Sequence, residues 1–128
     1  EDLGLLHPGV SATDFIDRAL ARGVRLVVVT RGASGAVART ASRGAAVSAP
    51  AVPVVDTVGA GDAFQSALLA WLGEHDAFRI EAIAPGTEPR LEEGLRFACT
   101  AASVVCSRRG ADLPTRAEIA STRPVTDA

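Results

Sequence analysis

The first half of the chain shows hydrophobic patterns that predict one helix and then strands. Apolar residues recur at helical spacing after a potential cap at Thr13, which predicts a helix over residues 13–22. The run at residues 26–30 is apolar without alternation and rich in β-branched residues, which is typical of a parallel strand covered on both faces. Residues 36–40 and 46–48 follow a glycine-containing turn and predict a β-hairpin.

The second half predicts a short strand and two long helices. The strand is expected at residues 54–55, and a largely apolar helix begins at Gly61. Mixed charge and a Pro-Gly pair predict a loop over residues 75–89, before a helix over residues 90–108. A capping box at residues 115–118 opens a last short helix, beyond which the chain is expected to fray. The core positions expected on the helix after Gly61 are Ala63, Phe64, Ala67, Leu68, Trp71 and Leu72.

Composition narrows the class of protein. The chain has 128 residues, 48% of them hydrophobic, which suffices for one core, so residues 1–128 are predicted to form a single domain. A net charge of -2 argues against a nucleic-acid or membrane surface. No export signal is visible, so the cytoplasm is the expected location. The chain begins with Glu1 and contains no methionine, which predicts a piece of a longer protein.

The two cysteines predict free thiols. Cys99 and Cys106 lie seven residues apart on one predicted helix, about 10.5 Å along its axis, which is too far for a disulfide. The histidines, His7 and His75, do not complete a zinc-binding spacing with them.

The glycine-rich stretch at residues 56–64 carries the clearest chemistry. A short apolar run meets Gly59 and Gly61 and then a helix, so unpaired backbone N–H groups converge at the positive end of a helix dipole. That arrangement suits a phosphate, and Asp62 beside it suits a proton acceptor. The third glycine of a dinucleotide fingerprint and the lysine of a Walker loop are missing. On spacing alone, a plain strand-to-helix turn with Asp62 as an ordinary first-turn or capping carboxylate stays an open alternative.

Residues 56–64 read D-T-V-G-A-G-D-A-F, which resembles the second signature of the ribokinase-like (PfkB) carbohydrate kinases, D-T-x-G-A-G-D-x-F, at every fixed position. The resemblance implies that Gly59, Ala60 and Gly61 form an anion hole for the transferred phosphoryl group. It also implies that Asp62 is the base that takes the proton of the sugar hydroxyl. The resemblance extends over nearly the whole chain, although only this signature is specific.

The order of elements, helix, strand, hairpin, strand, helix, helix, indicates a layered α/β architecture. The resemblance implies the C-terminal part of a ribokinase-like three-layer αβα sandwich, with a mostly parallel sheet and a small hairpin. On this reading residues 1–128 are the nucleotide-binding half of a PfkB-type kinase, and its N-terminal sugar-binding half and lid are absent. A homodimer would form through the missing lid.

Two further segments resemble the family's nucleotide-binding parts. The turn T-R-G-A-S-G after the predicted first strand is similar to the family's T-x-G-x-x-G turn near the nucleotide phosphates, and the late helix is similar to the helix that packs near the adenine ring. The nucleotide-binding residues implied in this way are Thr30, Gly32, Gly35, Cys99 and Ser103.

Ion sites are implied as well. Backbone oxygens of Asp56 and Val58, with the turn around Gly110, are implied to hold a monovalent cation such as K⁺. An acid at the start of the chain, Asp2, is implied to help organise a magnesium-water shell. An exposed acid near the chain end is the alternative for Asp2.

The implied function is ATP- and Mg²⁺-dependent phosphorylation of a sugar hydroxyl, and the sequence looks closest to bacterial fructokinases. The complete protein is expected to be the enzyme, with this fragment alone inactive. Ribose, ketodeoxygluconate, tagatose phosphate or a nucleoside remain open as substrates. The alternatives from other classes are a non-catalytic nucleotide-binding module or pseudokinase, and a scaffold domain that binds no ATP.

Overall fold

A computed structural model describes residues 2–76 and 88–122, which form helices α1 to α5 and strands β1 to β3. In chain order these are α1 (Asp2–Leu6), α2 (Ala12–Ala21), β1 (Val27–Thr30), β2 (Ala36–Arg39), β3 (Gly44–Val47), α3 (Ala60–Glu74), α4 (Glu88–Cys106) and α5 (Arg116–Ser121). A short 3-10 turn, Gly32–Ser34, connects β1 to β2. None of these helices is both long enough and apolar enough to cross a membrane.

The three strands form one antiparallel sheet in the order β1-β2-β3. Ala38 in β2 lies opposite Val28 in β1 and Ala45 in β3. Ala36 and Ala38 are fully buried and belong to the core that α4 completes. Small side chains on this face bring the helix close to the sheet, because protein interiors pack without voids. The predicted hairpin is therefore present, as β2 and β3.

The prediction of a mostly parallel sheet is not met within residues 2–76 and 88–122. The run predicted as a parallel strand forms β1, which pairs antiparallel with β2. The strand predicted at residues 54–55 is not formed, and Val54 and Val55 are 66% and 55% exposed. The N–H of Val55 donates instead to the carbonyl of Cys106 at 2.8 Å. A short apolar run becomes a strand only where another strand takes its hydrogen bonds.

Helix α2 lies on the face of the sheet opposite to α4. Its Asp17 carboxylate accepts a hydrogen bond from the Arg39 guanidinium at 2.8 Å. Successive strand residues point to opposite faces, so Arg39 points away from the buried alanines of β2. The helix is capped by Ser11, whose hydroxyl accepts the N–H of Asp14 at 3.0 Å, and not by Thr13 as predicted. Thr13 lies within the first turn of α2, two residues after the N-cap.

Helices α3 and α4 pack along each other and form the centre of the core. Gly94 permits the close approach, since a Cβ added there would lie 2.6 Å from a ring carbon of Trp71. Leu95 and Val105 of α4 are fully buried. The six predicted core positions of α3 are all buried: Ala63, Phe64, Ala67, Leu68, Trp71 and Leu72.

The last two helices differ from prediction only at their ends. Helix α4 runs over Glu88–Cys106 and not over residues 90–108, so it begins earlier and ends before the arginines. The capping box on Thr115 and Glu118 opens α5 as predicted. Most of the predicted loop at residues 75–89 and most of the predicted fraying end lie outside the described residues.

Candidate active site

The chain enters α3 through a left-handed glycine. Gly59 is the N-cap of α3 and has a φ of 81°, which favours glycine because a Cβ would be strained there. A Cβ built on Gly59 would also lie 2.7 Å from the Cβ of Ala111. In contrast, apart from its chain neighbours and the backbone of its own helix, nothing lies within 4 Å of a Cβ built on Gly61. The fold therefore requires glycine at position 59, whereas Gly61 borders open space.

The first turn of α3 presents backbone N–H groups that have no protein acceptor. The N–H of Ala60 donates to the Thr57 carbonyl at 3.2 Å, so this part of the predicted anion hole is already engaged. Across the described part of the chain, the N–H groups of Gly59, Gly61 and Asp62 have no acceptor. Such groups carry the partial positive charge of a helix N-terminus and bind anions.

Asp62 lies in the first turn of α3, exposed to solvent. Its carboxylate forms no hydrogen bond or ion pair with any residue in the ranges 2–76 and 88–122. A capping carboxylate would bond to the helix backbone, and α3 has no side-chain cap, whereas the alternative of an ordinary first-turn acid agrees with the position of Asp62. A carboxylate in this position is available to accept a proton from a ligand.

A cavity of about 450 Å³ adjoins this turn. Ala60 and Gly61 line it, and Gly59 and Asp62 flank those two residues without lining the cavity themselves. Other walls come from the turn after β1 and from the side of α4. All of the predicted nucleotide-binding residues, which are far apart in the sequence, line this one cavity: Thr30, Gly32, Gly35, Cys99 and Ser103.

One wall of the cavity was absent from the predicted site. Residues 49–52 line it, together with Thr57, Phe64 and Cys106. The signal in the sequence is the pair of prolines around this segment, because proline donates no backbone hydrogen bond and disfavours continued pairing as a central strand. Residues 49–52 therefore lie outside the sheet and line the cavity beside the end of α4.

The cavity is apolar apart from a few hydroxyls and thiols. The Ser103 hydroxyl donates to the carbonyl of Pro50 at 3.3 Å and ties α4 to the proline-rich wall. Burial raises the pKa of the Cys99 thiol, so this group stays uncharged near neutral pH. An apolar slot with neutral polar groups suits a flat uncharged ring, while the N–H groups at Gly61 suit an anion.

The turn after β1 is built on glycines with positive φ. Gly35 has a φ of 88°, and a Cβ there would lie 2.0 Å from the carbonyl oxygen of Val47, so no larger residue fits without moving β3. The Gly35 carbonyl accepts the N–H of Arg31 at 2.7 Å, which closes the turn. Gly32 has a φ of 54° and open space beside it. The turn thus exposes backbone to the cavity.

Asp56 links the glycine-rich loop to the turn after α4. Its carboxylate accepts the N–H of Val58 at 3.0 Å and the N–H of Gly110 at 2.9 Å. These bonds, chiefly the one from Val58, hold the pKa of Asp56 below its ordinary value. The three residues predicted to hold a cation therefore lie together. The Gly110 carbonyl already accepts the N–H of Asp112 at 2.9 Å.

Clustered metal ligands are not found in the described ranges, where no group of three or more His, Cys, Asp and Glu side chains is placed to hold an ion. Asp2 begins α1, and its link to magnesium stays a prediction.

Known proteins share this arrangement of elements. Residues 5–118 match the model of the pfkB family carbohydrate kinases. The fructokinase of Vibrio alginolyticus is 29% identical over 121 residues, which are 93% of this chain and 37% of that protein. The crystal structure of the Vibrio cholerae fructokinase in its fructose, ADP and calcium ion bound form is 28% identical, with a TM-score of 0.72 over 93% of this chain and 37% of that one. A putative ribokinase II from E. coli in complex with ATP and Mg²⁺ is 27% identical, with a TM-score of 0.69 over 86% of this chain and 32% of that one.

The chain spans between 23% and 37% of the length of the curated relatives it matches. Its fold is that of the corresponding part of the ribokinase-like kinases, with the small antiparallel sheet described above.

Proposed function

The chain belongs to the pfkB family of carbohydrate kinases, and we propose that the complete protein transfers the terminal phosphoryl group of ATP to a sugar hydroxyl. One observation carries this proposal. The apolar cavity reaches the first turn of α3, where, among the described residues, the N–H group of Gly61 has no acceptor and the Asp62 carboxylate has no partner. A nucleotide in this cavity would bring its phosphates to those groups.

The walls of the cavity suit the two ends of a nucleotide. The apolar end, between residues 49–52 and the side of α4 that carries Cys99 and Ser103, would hold the base. The glycine turn after β1 and the first turn of α3 would hold the phosphates, because close backbone approach and unpaired N–H groups favour an anion. In this proposal the transferring phosphoryl group would lie next to Gly61.

Catalysis then rests on two groups of the chain. Preorganised N–H donors at Gly59, Gly61 and Asp62 stabilise negative charge as it shifts during transfer, each contributing about 3 kcal/mol to lowering the barrier. The Asp62 carboxylate accepts the proton of the sugar hydroxyl as its oxygen bonds to phosphorus. The exposed position of Asp62 leaves room for the sugar beside it.

Cations would assist at two places. Magnesium, when bound to the nucleotide, neutralises the charge on its phosphates. A monovalent cation would be held by the backbone carbonyls of Asp56 and Val58 and by the turn at Gly110. The carboxylate oxygens of Asp56 are engaged with backbone N–H groups, which leaves the carbonyl oxygens as ligands.

Fructose is the sugar we propose first, because curated relatives at 29% to 41% identity bear the name fructokinase. Ribose is the second candidate, supported by structural neighbours named ribokinase. We also propose that residues 1–128 act as the nucleotide-binding half, since the turn after β1, the first turn of α3 and the side of α4 together line one cavity.

The test compares the complete protein with the 128-residue chain. Both are incubated with ATP, Mg²⁺ and either fructose or ribose, and the sugar phosphate is measured by mass spectrometry. Calorimetry measures ATP binding by each. The expected result is fructose phosphate from the complete protein, and ATP binding without turnover by the chain. Failure of both proteins to bind ATP would refute the proposal, and ATP binding without product on a wider sugar panel would favour a non-catalytic nucleotide-binding protein.

A further inference from the structure

The loop that leads into α3 is attached to the end of α4 by polar contacts. The N–H groups of Val55 and Asp56 donate to the Cys106 carbonyl at 2.8 and 3.2 Å. The Asp56 carboxylate accepts the N–H groups of Val58 and Gly110 at 3.0 and 2.9 Å. The Asp56 carboxylate thus joins the loop before α3 to the turn after α4, and these bonded segments are called the junction.

Burial does not hold the loop. The side chains of Val54, Val55 and Val58 are 66%, 55% and 61% exposed, so they bury little apolar surface. A loop that is poorly buried takes its conformation from its hydrogen bonds, and bonds to a charged acceptor are the stronger ones.

The junction also holds Gly59, the N-cap of α3, in position. Gly59 follows directly after Val58 and lies against Ala111, which follows directly after Gly110. A shift of the turn after α4 would therefore move Gly59, because a Cβ on Gly59 would already lie 2.7 Å from the Cβ of Ala111. The Asp56 carboxylate accepts the N–H groups of Val58 and Gly110, the residues that directly precede Gly59 and Ala111.

We propose that the Asp56 side chain is a positioning residue, which orients the N–H groups of Gly59, Gly61 and Asp62 for phosphate by fastening the loop to Gly110. This inference rests on the proposed function, since it assumes that these groups bind the phosphates of ATP. The position of the helix end, and not a contact between Asp56 and the nucleotide, carries the effect. Asp56 does not line the cavity.

The experiment uses the ¹⁵N-labelled chain and two variants with the same chemical change. Asp56→Asn replaces an oxygen that accepts an N–H with an NH₂ group, which cannot accept it. Asp17→Asn is the matched control, because it removes the negative charge that pairs with Arg39 on the opposite side of the sheet. Amide chemical shifts, the ATP dissociation constant and the melting temperature are measured for all three proteins.

Asp56→Asn is expected to shift the amide signals of Gly59, Gly61 and Asp62 and to raise the ATP dissociation constant about tenfold. Asp17→Asn is expected to leave these amide signals in place and the ATP dissociation constant within about twofold of its original value. A lowered melting temperature with unchanged amide signals and unchanged ATP affinity in Asp56→Asn would overturn the inference and leave the proposed function standing. Absence of ATP binding by the unsubstituted chain would count against the proposed function instead.

A measurement on the unsubstituted chain covers the case in which Asp56→Asn does not fold. Val58 and Gly110 do not line the cavity. Saturation with ATP is nevertheless expected to shift their amide signals, since coupling through Asp56 acts in both directions. Shifts confined to cavity residues would overturn the inference.

Discussion

The guanidinium of Arg108 pairs with the carboxylate of Glu118 and joins the end of α4 to α5. The same carboxylate accepts the N–H and the hydroxyl of Thr115 at 2.7 and 2.9 Å, which completes the capping box. Arg108 also pairs with Asp112 at 3.2 Å. The connection between the two helices is therefore held by charged groups, and α5 supplies Ile119 to the core.

This arrangement predicts an acid-sensitive fold. The N–H of Thr115, and after it the Arg108 guanidinium, lower the pKa of Glu118 from 4.5 to about 2. The stabilisation is complete above the unfolded value of 4.5 and is lost as the pH falls through about 2. We expect Glu118→Gln to be less stable than the unsubstituted chain near neutral pH, with the difference disappearing near pH 2. Urea unfolding followed by circular dichroism at several pH values measures this.

The control for that experiment is Glu93→Gln, an exposed acid of α4 that forms no ion pair with any residue the structure describes. It is expected to keep the pH dependence of the unsubstituted chain. A constant difference between Glu118→Gln and the unsubstituted chain at all pH values would contradict the assignment.

Substitutions of the two glycines of the signature separate stability from binding. Gly59→Ala is expected to cost about 2–4 kcal/mol of unfolding free energy, because it combines a positive φ with a clash against Ala111. Gly61→Ala meets nothing within 4 Å outside its chain neighbours and its own helix backbone, and it is expected to preserve the fold. It places a methyl group at the cavity wall, so its ATP dissociation constant should rise. Thermal unfolding measures the stability of the two variants, and calorimetry measures their ATP binding. Equal stability of the two variants would show that the fold does not require glycine at position 59.

The role of Asp62 predicts a loss of rate without a loss of binding. In the complete protein, Asp62→Asn is expected to reduce turnover between about 10² and 10⁴-fold, the usual contribution of a general base, with ATP affinity nearly unchanged. Asp14→Asn is the matched control, since Asp14 is likewise the acid in the first turn of a helix, away from the cavity. Coupled assays give the rates. Full activity of Asp62→Asn would exclude it as the base.

The two cysteines are expected to differ in reactivity. Cys99 is 3% exposed and burial raises the pKa of its thiol, which reduces the reactive thiolate fraction. Cys106 lines the same cavity and is half-buried. We therefore expect iodoacetamide to alkylate Cys106 at least about tenfold faster than Cys99. ATP is expected to slow the reaction of Cys106, and peptide mass spectrometry follows both sites.

A Cys106→Ser variant identifies the peptide and removes the fast reaction. Equal rates at the two thiols would contradict the burial of Cys99. A rate at Cys106 that is independent of ATP would show that the nucleotide does not fill the cavity near the end of α4.

Local sequence patterns predicted helices α2 to α5 and the turn that begins α3, but not the short helix α1. The apolar spacing from Ala63 to Leu72 and the capping box at Thr115 and Glu118 predicted elements that the structure contains. These features act between residues a few positions apart, so they can be recognised without knowledge of the rest of the chain. The glycines around Asp62 likewise identified the family that the matched residues confirm.

Only the tertiary structure shows which atoms of distant residues bond to one another. The apolar run at Val54 and Val55 looked like a strand, but the N–H groups of Val55 and Asp56 donate to the Cys106 carbonyl at the end of α4, and the sheet is antiparallel. The same holds for the Asp56 carboxylate, whose bond to Gly110 joins residues 54 positions apart. Such pairings depend on how helices and strands pack, because the free energy of a hydrogen bond depends on the partner available and not on local sequence.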